Sequence, residues 1–357
     1  MTDNFSHVAA PIMLAGKTVK NRIVVPPMAD FGMTAKDGRI NARHLQHYGA
    51  YAAGGAGLII VEACAVSPLP EPRSTIGVFD DGALPGLSQL AQAVTANGAV
   101  ALVQLMHTGL SVMPETTIAQ IERAKFLRIK ADFIAAARRI QQAGFDGIEL
   151  HAAHGYYLNQ VIETSSRSDE YGGEAANRLR LLTELITEIK AACGDAFLVS
   201  VRFGNPRLDE LVLTAQTICA AGGDILDVST GSAGYADIAA DFPWDGRIFA
   251  AAQVKKAVSR PVIAVGNIHS GQDAEQILTD GLADMLAIGR GHLSDPSWAQ
   301  KTLTGNTPNP CRQCQRCLWF TDGRLCPAAK VLSPSIDPKQ GEKPHEKSQN
   351  NRFKNDV

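Results

Sequence analysis

Apolar residues in this chain fall into short, nearly continuous runs, separated by longer stretches in which they recur every three or four positions. The runs lie at 22–25, 57–62, 99–105, 147–151, 197–202, 225–229, 262–265 and 285–288. GLIIVE, FLVSVR and PVIAV are β-branched and apolar at almost every position, which is how parallel strands buried on both faces read. Stretches of helical period lie between them, at 41–53, 87–97, 129–143, 177–193, 211–221, 250–258 and 273–280, and 296–303 follows the last run. Eight alternating units predict a (β/α)8 TIM barrel. An open doubly wound sheet is the competing architecture, because periodicity alone does not show closure. No G-x-G-x-x-G follows the first run, which weakens the dinucleotide-binding form of that alternative.

The pattern breaks near Pro308 and again near Val331. The chain is therefore read as a barrel over 1–307, a cysteine-bearing extension over 308–330, and a polar tail over 331–357 that is expected to be disordered. The 357 residues carry a net charge of −2 and are 45% hydrophobic. That balance gives no basic footprint for nucleic acid or an anionic membrane. No apolar run reaches the roughly 18 residues of a membrane span. The opening MTDNFSHVAAPIML lacks the basic and apolar regions of a secretory signal. The expectation is a cytoplasmic protein with no nucleic-acid and no membrane partner.

The seven cysteines are unevenly placed: Cys64, Cys193 and Cys219 stand alone, whereas Cys311, Cys314, Cys317 and Cys326 crowd into a C-x2-C-x2-C-x8-C array. A disulfide framework would spread through a small secreted chain. The tight array reads as metal or iron–sulfur ligation, because x2 spacings let a chain turn around one corner of a [4Fe–4S] cubane. A structural zinc held by four cysteines would use the same thiolates, and four free thiols are the third reading.

In a (β/α)8 barrel the active site forms at the C-terminal ends of the strands. The residues there are Pro26-Pro27-Met28, Glu62-Ala63, Gln104 with His107, His151-Ala-Ala-His154-Gly-Tyr156, Arg202, Ser229, Gly266-Asn267 and Gly289-Arg290. The loops after strands seven and eight commonly bind phosphate. Gly266 and Gly289 would let backbone N–H groups approach it, and Arg290 would add a guanidinium. His151 and His154, three apart, suit either polarisation of one carbonyl oxygen or two ligands of a metal site. Arg202 ends a buried strand, and a buried cation needs a partner. Either a barrel carboxylate such as Glu62 or a bound electron-rich cofactor would serve.

The run AGFDGIELHAAHGYYLNQVIETSSRSDEYGGEAANRLRLL, residues 143–182, resembles the old yellow enzyme family of FMN-dependent oxidoreductases. That family includes bacterial ene-reductases and the barrel domain of 2,4-dienoyl-CoA reductase. KNRIVVPPM, VQLMHTG, AVGNI and ADMLAIGR support the resemblance in order, over residues 8–304. It implies FMN across the barrel mouth. Backbone around Pro27, Met28 and Ala63 would meet the flavin ring, Gln104 its pyrimidine edge and Arg202 its N1 side. Gly266, Asn267, Gly289 and Arg290 would hold the phosphate. His151 and His154 would bind the carbonyl oxygen of an α,β-unsaturated substrate, and Tyr156 would donate the proton to the α-carbon. The electron donor would be NAD(P)H or an electron-transfer protein docking near Arg312, Arg316 and Trp319.

The longer flavoproteins of the family carry a cluster at a similar cysteine triplet, although their fourth cysteine lies further along. The [4Fe–4S] reading is placed ahead of zinc because a flavin next door gives a cluster a purpose, passing single electrons while FMN handles the hydride. The chain departs from the family at Ala29, where many members carry Cys or Thr, and in shorter segments after Leu110 and Arg202. The expected activity is an FMN-dependent ene-reductase. The alternatives are an FMN dehydrogenase of amines or cyclic carbonyl compounds, and a flavin/iron–sulfur electron-transfer subunit. A zinc hydrolase barrel is a weak fourth, and assembly into a homo-oligomer is left open.

Overall fold

The computed structural model describes residues 5–69, 75–164, 166–230, 238–239 and 241–329. All eight apolar runs become strands: β1 (Ile23–Val25), β2 (Leu58–Ala65), β3 (Val100–Met106), β4 (Gly147–Ala152), β5 (Leu198–Phe203), β6 (Ile225–Val228), β7 (Val262–Val265) and β8 (Met285–Ala287). Each pairs in parallel with the next, and β8 pairs back onto β1 through Leu286 opposite Ile23, so the sheet is a closed barrel. The open-sheet alternative is excluded by that last pairing. The helices α1 (Ala42–Ala53), α2 (Leu84–Thr95), α3 (Arg123–Gln142), α4 (Arg180–Cys193), α5 (Leu208–Ala220), α6 (Gly246–Ala257), α7 (Gly271–Thr279) and α8 (Trp298–Leu303) alternate with the strands. None of the helices among the described residues is long and apolar enough to cross a membrane. The tail expected to be disordered, 331–357, lies outside the described residues.

Alternate residues of a strand face opposite sides, and the inward column of this barrel changes character along its axis. At the N-terminal end Val24, Leu58, Ile60, Leu102, Leu198, Ile225, Ile263 and Met285 form one buried apolar cluster. A hairpin not expected from the sequence, Ile12–Leu14 paired with Lys17–Val19, floors the barrel by adding Leu14 and Val19 to that cluster. Its strands are three residues each, too short to show a period. At the C-terminal end the same columns turn polar, with Gln104, Glu149, Ser200, Arg202 and Asp227 all buried. An apolar floor and a polar mouth place the chemistry at one end only.

Strand β2 breaks the regular ladder. Val61 stands opposite Val103, but the next matched pair is Cys64 with Leu105, so one extra residue is accommodated near Glu62 and Ala63. This bulge alters the expected position of Glu62. Rather than meeting Arg202, Glu62 packs against α1, where the Tyr48 hydroxyl lies 3.4 Å from its Oε1 and accepts from its backbone N–H at 2.8 Å. Burial, reinforced by nearby Asp30, raises the Glu62 carboxyl to about 8. Folded Glu62 therefore keeps a proton that the unfolded chain loses above its ordinary value of 4.5. Its contribution to stability falls as pH rises from about 4.5 to 8, by up to about 1.4 kcal/mol per pH unit. Glu62→Gln lacks this term, so its stability relative to the parent should climb between pH 5 and pH 8 in denaturant titrations. A difference that stays constant across that range would mean Glu62 is ionised in the fold.

Candidate active site

The polar mouth is built by register. In the β4–β5 ladder Glu149 stands opposite Ser200 and His151 opposite Arg202, and in the β5–β6 ladder Arg202 stands opposite Asp227. Three neighbouring strands thereby aim one set of polar side chains at one another. Gln104 Nε2 donates to Glu149 Oε1 at 3.0 Å, and the Ser200 hydroxyl donates to Glu149 Oε2 at 2.9 Å. Arg202 lies with its Nε 3.6 Å from Asp227 Oδ2 and donates from Nη2 to the Ser229 hydroxyl at 3.2 Å. The carboxylate beside Arg202 is therefore Asp227, not Glu62. Asp227 was not read from the sequence; Ser229 was read only as a residue at the end of strand six, and Glu149 only as a possible metal ligand beside His151. The signal was strand parity, which puts Asp227 two residues before Ser229 on one face.

Two buried carboxyl groups face one cation here. Burial first, then Asp227, raises Glu149 to about 8, against the opposing pull of Arg202, Ser200 and Gln104. Burial also raises Asp227, while Arg202 lowers it. Asp227 is the group in ion-pair contact, so it carries the charge and Glu149 holds a proton at neutral pH. Arg202 Nε and both Asp227 carboxylate oxygens are buried with no hydrogen-bond partner among the described residues. A buried donor in that condition is costly, and it suits an electron-rich ring edge at the mouth.

The two histidines converge. His151 is the penultimate residue of β4, and its ring centroid lies 5.1 Å from that of His154 and 4.8 Å from that of Tyr156. The turn that brings them together is left-handed, with φ of 60° at His154 and 74° at Gly155. Tyr156 then caps the short helix Tyr157–Glu163. Burial, aided by His154 and Arg202, holds His151 well below its ordinary value. Burial with Arg202 brings His154 down to about 3. Both imidazoles are neutral, and burial raises Tyr156 so that it keeps its proton. The metal reading of the histidine pair finds no support. No group of three or more His, Cys, Asp or Glu among the described residues is placed to hold one ion.

Around this centre stand the other expected residues. Pro27 and Met28 follow β1, with Met28 buried. Ala63, at the bulge, is the one residue of β2 that is not fully buried. Gly266, Asn267, Gly289 and Arg290 line a cleft of about 80 Å³, together with Arg247, Cys311 and Gln313. Gly266 has φ of 151°, and a Cβ there would meet the Asp245 side chain at 2.9 Å, so glycine is required. Asp245 is engaged by Arg247 Nε at 2.8 Å and by Asn267 Nδ2 at 2.7 Å. Arg247 is thus paired with a carboxylate, whereas Arg290 donates from Nη2 to the neutral Asn267 Oδ1, so the cleft keeps a cationic lining.

The cysteine extension is clipped to the barrel by polar contacts, and its Cys317 and Cys326 pack against the barrel core. Gly323 N–H donates to Asp30 Oδ2 at 2.9 Å, Arg43 pairs with Asp322 at 3.3 Å, and Asn309 N–H donates to Asp295 Oδ2 at 2.8 Å. Trp319 is buried, with its ring 5.3 Å from that of His47, so it cannot belong to a docking surface. Cys311, Cys314 and Cys326 are close enough to Cys317 to raise its thiol electrostatically, after the larger effect of burial. The four thiols nevertheless do not form a closed ligand set, since no candidate metal group occurs among the described residues.

The family described as NADH:flavin oxidoreductase / NADH oxidase matches residues 8–309. An NADH oxidase of Thermoanaerobacter brockii is 34% identical over 88% of this chain, which spans only 53% of that protein. An NADPH dehydrogenase of Bacillus subtilis is 34% identical over 84% of this chain and 96% of its own length. Among solved structures, an old yellow enzyme homologue from Zymomonas mobilis superposes with a TM-score of 0.73 at 22% identity, over 88% of this chain and 98% of that one. The matched barrel and the convergent mouth together place this chain in the NADH:flavin oxidoreductase / NADH oxidase family, the old yellow enzyme family of FMN-dependent oxidoreductases.

Proposed function

We propose that this chain reduces the carbon–carbon double bond of α,β-unsaturated carbonyl compounds, with NAD(P)H as the electron source. The observation that carries the reading is the pair of neutral imidazoles, His151 and His154, with Tyr156 against His151 at the barrel mouth. Bound FMN would supply a hydride from N5 to the β-carbon. Backbone at Pro27, Met28 and Ala63 would face its ring, and Gln104 its pyrimidine edge. Arg202, with its unsatisfied Nε, would lie toward N1. The cleft of Gly266, Asn267, Gly289 and Arg290 would take the phosphate. The imidazole N–H groups would stabilise the charge that develops on the substrate oxygen. Tyr156, still protonated, would deliver its proton to the α-carbon. In this reading residues 1–307 are the flavin-binding barrel and 308–330 a separate extension.

Heating the protein and separating the released cofactor should yield FMN; FAD, or no flavin from flavin-replete expression, overturns the assignment. Tyr156→Phe should slow enone reduction by about 10²-fold or more while flavin reduction by NAD(P)H stays near the parent rate. Unchanged enone turnover would remove Tyr156 from its role. A flavin that NAD(P)H reduces but no enone reoxidises would favour the oxidative-dehydrogenase or electron-transfer alternatives.

For the extension, we propose that Cys311, Cys314, Cys317 and Cys326 hold a [4Fe–4S] cluster, with zinc as the alternative. The support is the spacing and the mutual electrostatic reach of the thiols. As arranged in this structure they are not a closed set among the described residues. A protein electron donor, if one serves, would dock on exposed Arg312 and Arg316. Anaerobic preparation should give about four irons and four sulfides per chain. Stoichiometric zinc without sulfide would make the segment a structural clip, and neither metal would leave free thiols.

A further inference from the structure

The carbonyl site asks for N–H donors, and a neutral imidazole has only one. Which nitrogen of His154 carries it is set by what the other nitrogen meets. In the structure His154 Nε2 does not face an open space: it lies 2.9 Å from the Ser229 hydroxyl. That same hydroxyl oxygen accepts from Arg202 Nη2 at 3.2 Å, and Ser229 is buried. A guanidinium offers only donors, so Arg202 fills one of the two lone pairs of Ser229 Oγ and cannot take the hydroxyl proton, which is free for another acceptor. His154 Nε2 is within reach of it.

We infer that Ser229 is a positioning residue, which donates its hydroxyl proton to His154 Nε2, holds the ring as the Nδ1–H tautomer, and leaves Nδ1–H as the donor to the substrate's carbonyl oxygen. The inference rests on the ene-reductase reading for the role of that donor, but the tautomer does not depend on it. Three features support the assignment. Asp227 and Ser229 stand two residues apart at the end of β6, so one strand face fixes both partners of Arg202. His154 is not fully buried, so the nitrogen that Ser229 does not engage has room to meet a ligand. The charges around the ring, Arg202 and Arg247, with burial as the larger effect, keep it neutral. The Ser229 backbone acts on the ring in the direction that favours protonation, but the hydroxyl makes the contact of hydrogen-bond length to Nε2.

The deciding measurement is long-range ¹H–¹⁵N correlation spectroscopy on FMN-loaded protein labelled with ¹⁵N-histidine, with His154 assigned by its loss in His154→Gln. At pH 7 the parent should show His154 as the Nδ1–H tautomer, with no titration between pH 5 and pH 9. Ser229→Ala should lose that pattern and bind a simple phenol roughly tenfold more weakly, read by titrating the flavin absorbance. Ser229→Thr, which keeps the hydroxyl, should restore both. An Nε2–H or doubly protonated His154 in the parent overturns the inference, and so does Ser229→Ala with parental tautomer and phenol affinity. If Ser229→Ala fails to fold, the parent spectrum and the threonine variant still decide. A protein that holds no flavin would sink the functional reading while leaving the tautomer readable in the same spectrum.

Discussion

Burying the Arg202 guanidinium at the barrel mouth is the constraint around which the rest of the site is arranged. A guanidinium does not shed its charge in a protein and presents only donors, so the surrounding strands must supply acceptors in fixed positions. The parallel register does this: Asp227 stands opposite Arg202 in the ladder, and Ser229 follows it at hydrogen-bond distance. Removing one partner would leave a buried charge uncompensated, at a cost of several kcal/mol. Because Asp227 takes the cation, the second carboxyl group, Glu149, is left protonated and serves to hold Gln104 and Ser200. A single fixed charge thus orders the polar groups on four consecutive strands, and through Ser229 it reaches His154.

The barrel was legible in the chain because eight short, continuous apolar runs alternate with stretches of helical period, as buried parallel strands and their crossover helices do. All eight runs became strands, with ends displaced by a few residues at most. What the pattern could not carry was anything set by a local break in period. The bulge in β2 turned Glu62 toward Tyr48 and away from Arg202, so parity counted from Leu58 pointed it the wrong way. The flooring hairpin escaped because its turn, with φ of 43° at Ala15 and 87° at Gly16, joins strands too short to alternate visibly. His151, His154 and Tyr156 were legible as a group, since a strand end followed by a tight turn must bring them near. The left-handed backbone at His154 that sets their geometry was not. Asp227 was passed over because a carboxylate inside an apolar run looks like an exception until its neighbour across the ladder is known.

The cysteine extension presents the reverse case, in which the sequence motif is plain and the structure qualifies it. Its anchors are Gly323 on Asp30, Asp322 on Arg43, Asn309 on Asp295, and Trp319 buried beside His47. A Cβ at Gly323 would stand 2.7 Å from Asp30 Oδ2 and 2.9 Å from the Trp319 ring, so the fit depends on a glycine there. None of these contacts uses a thiol. A small segment that needed metal to fold would show the opposite arrangement, with ligand bonds replacing a missing core. Here the barrel itself supplies that core, and Cys317 and Cys326 pack against it. Cys311 meanwhile lines the same cationic cleft as Gly266, Asn267, Gly289 and Arg290. The segment that carries the thiols thus forms one wall of the cleft, with Pro308, Asn309, Pro310 and Gln313 beside Cys311.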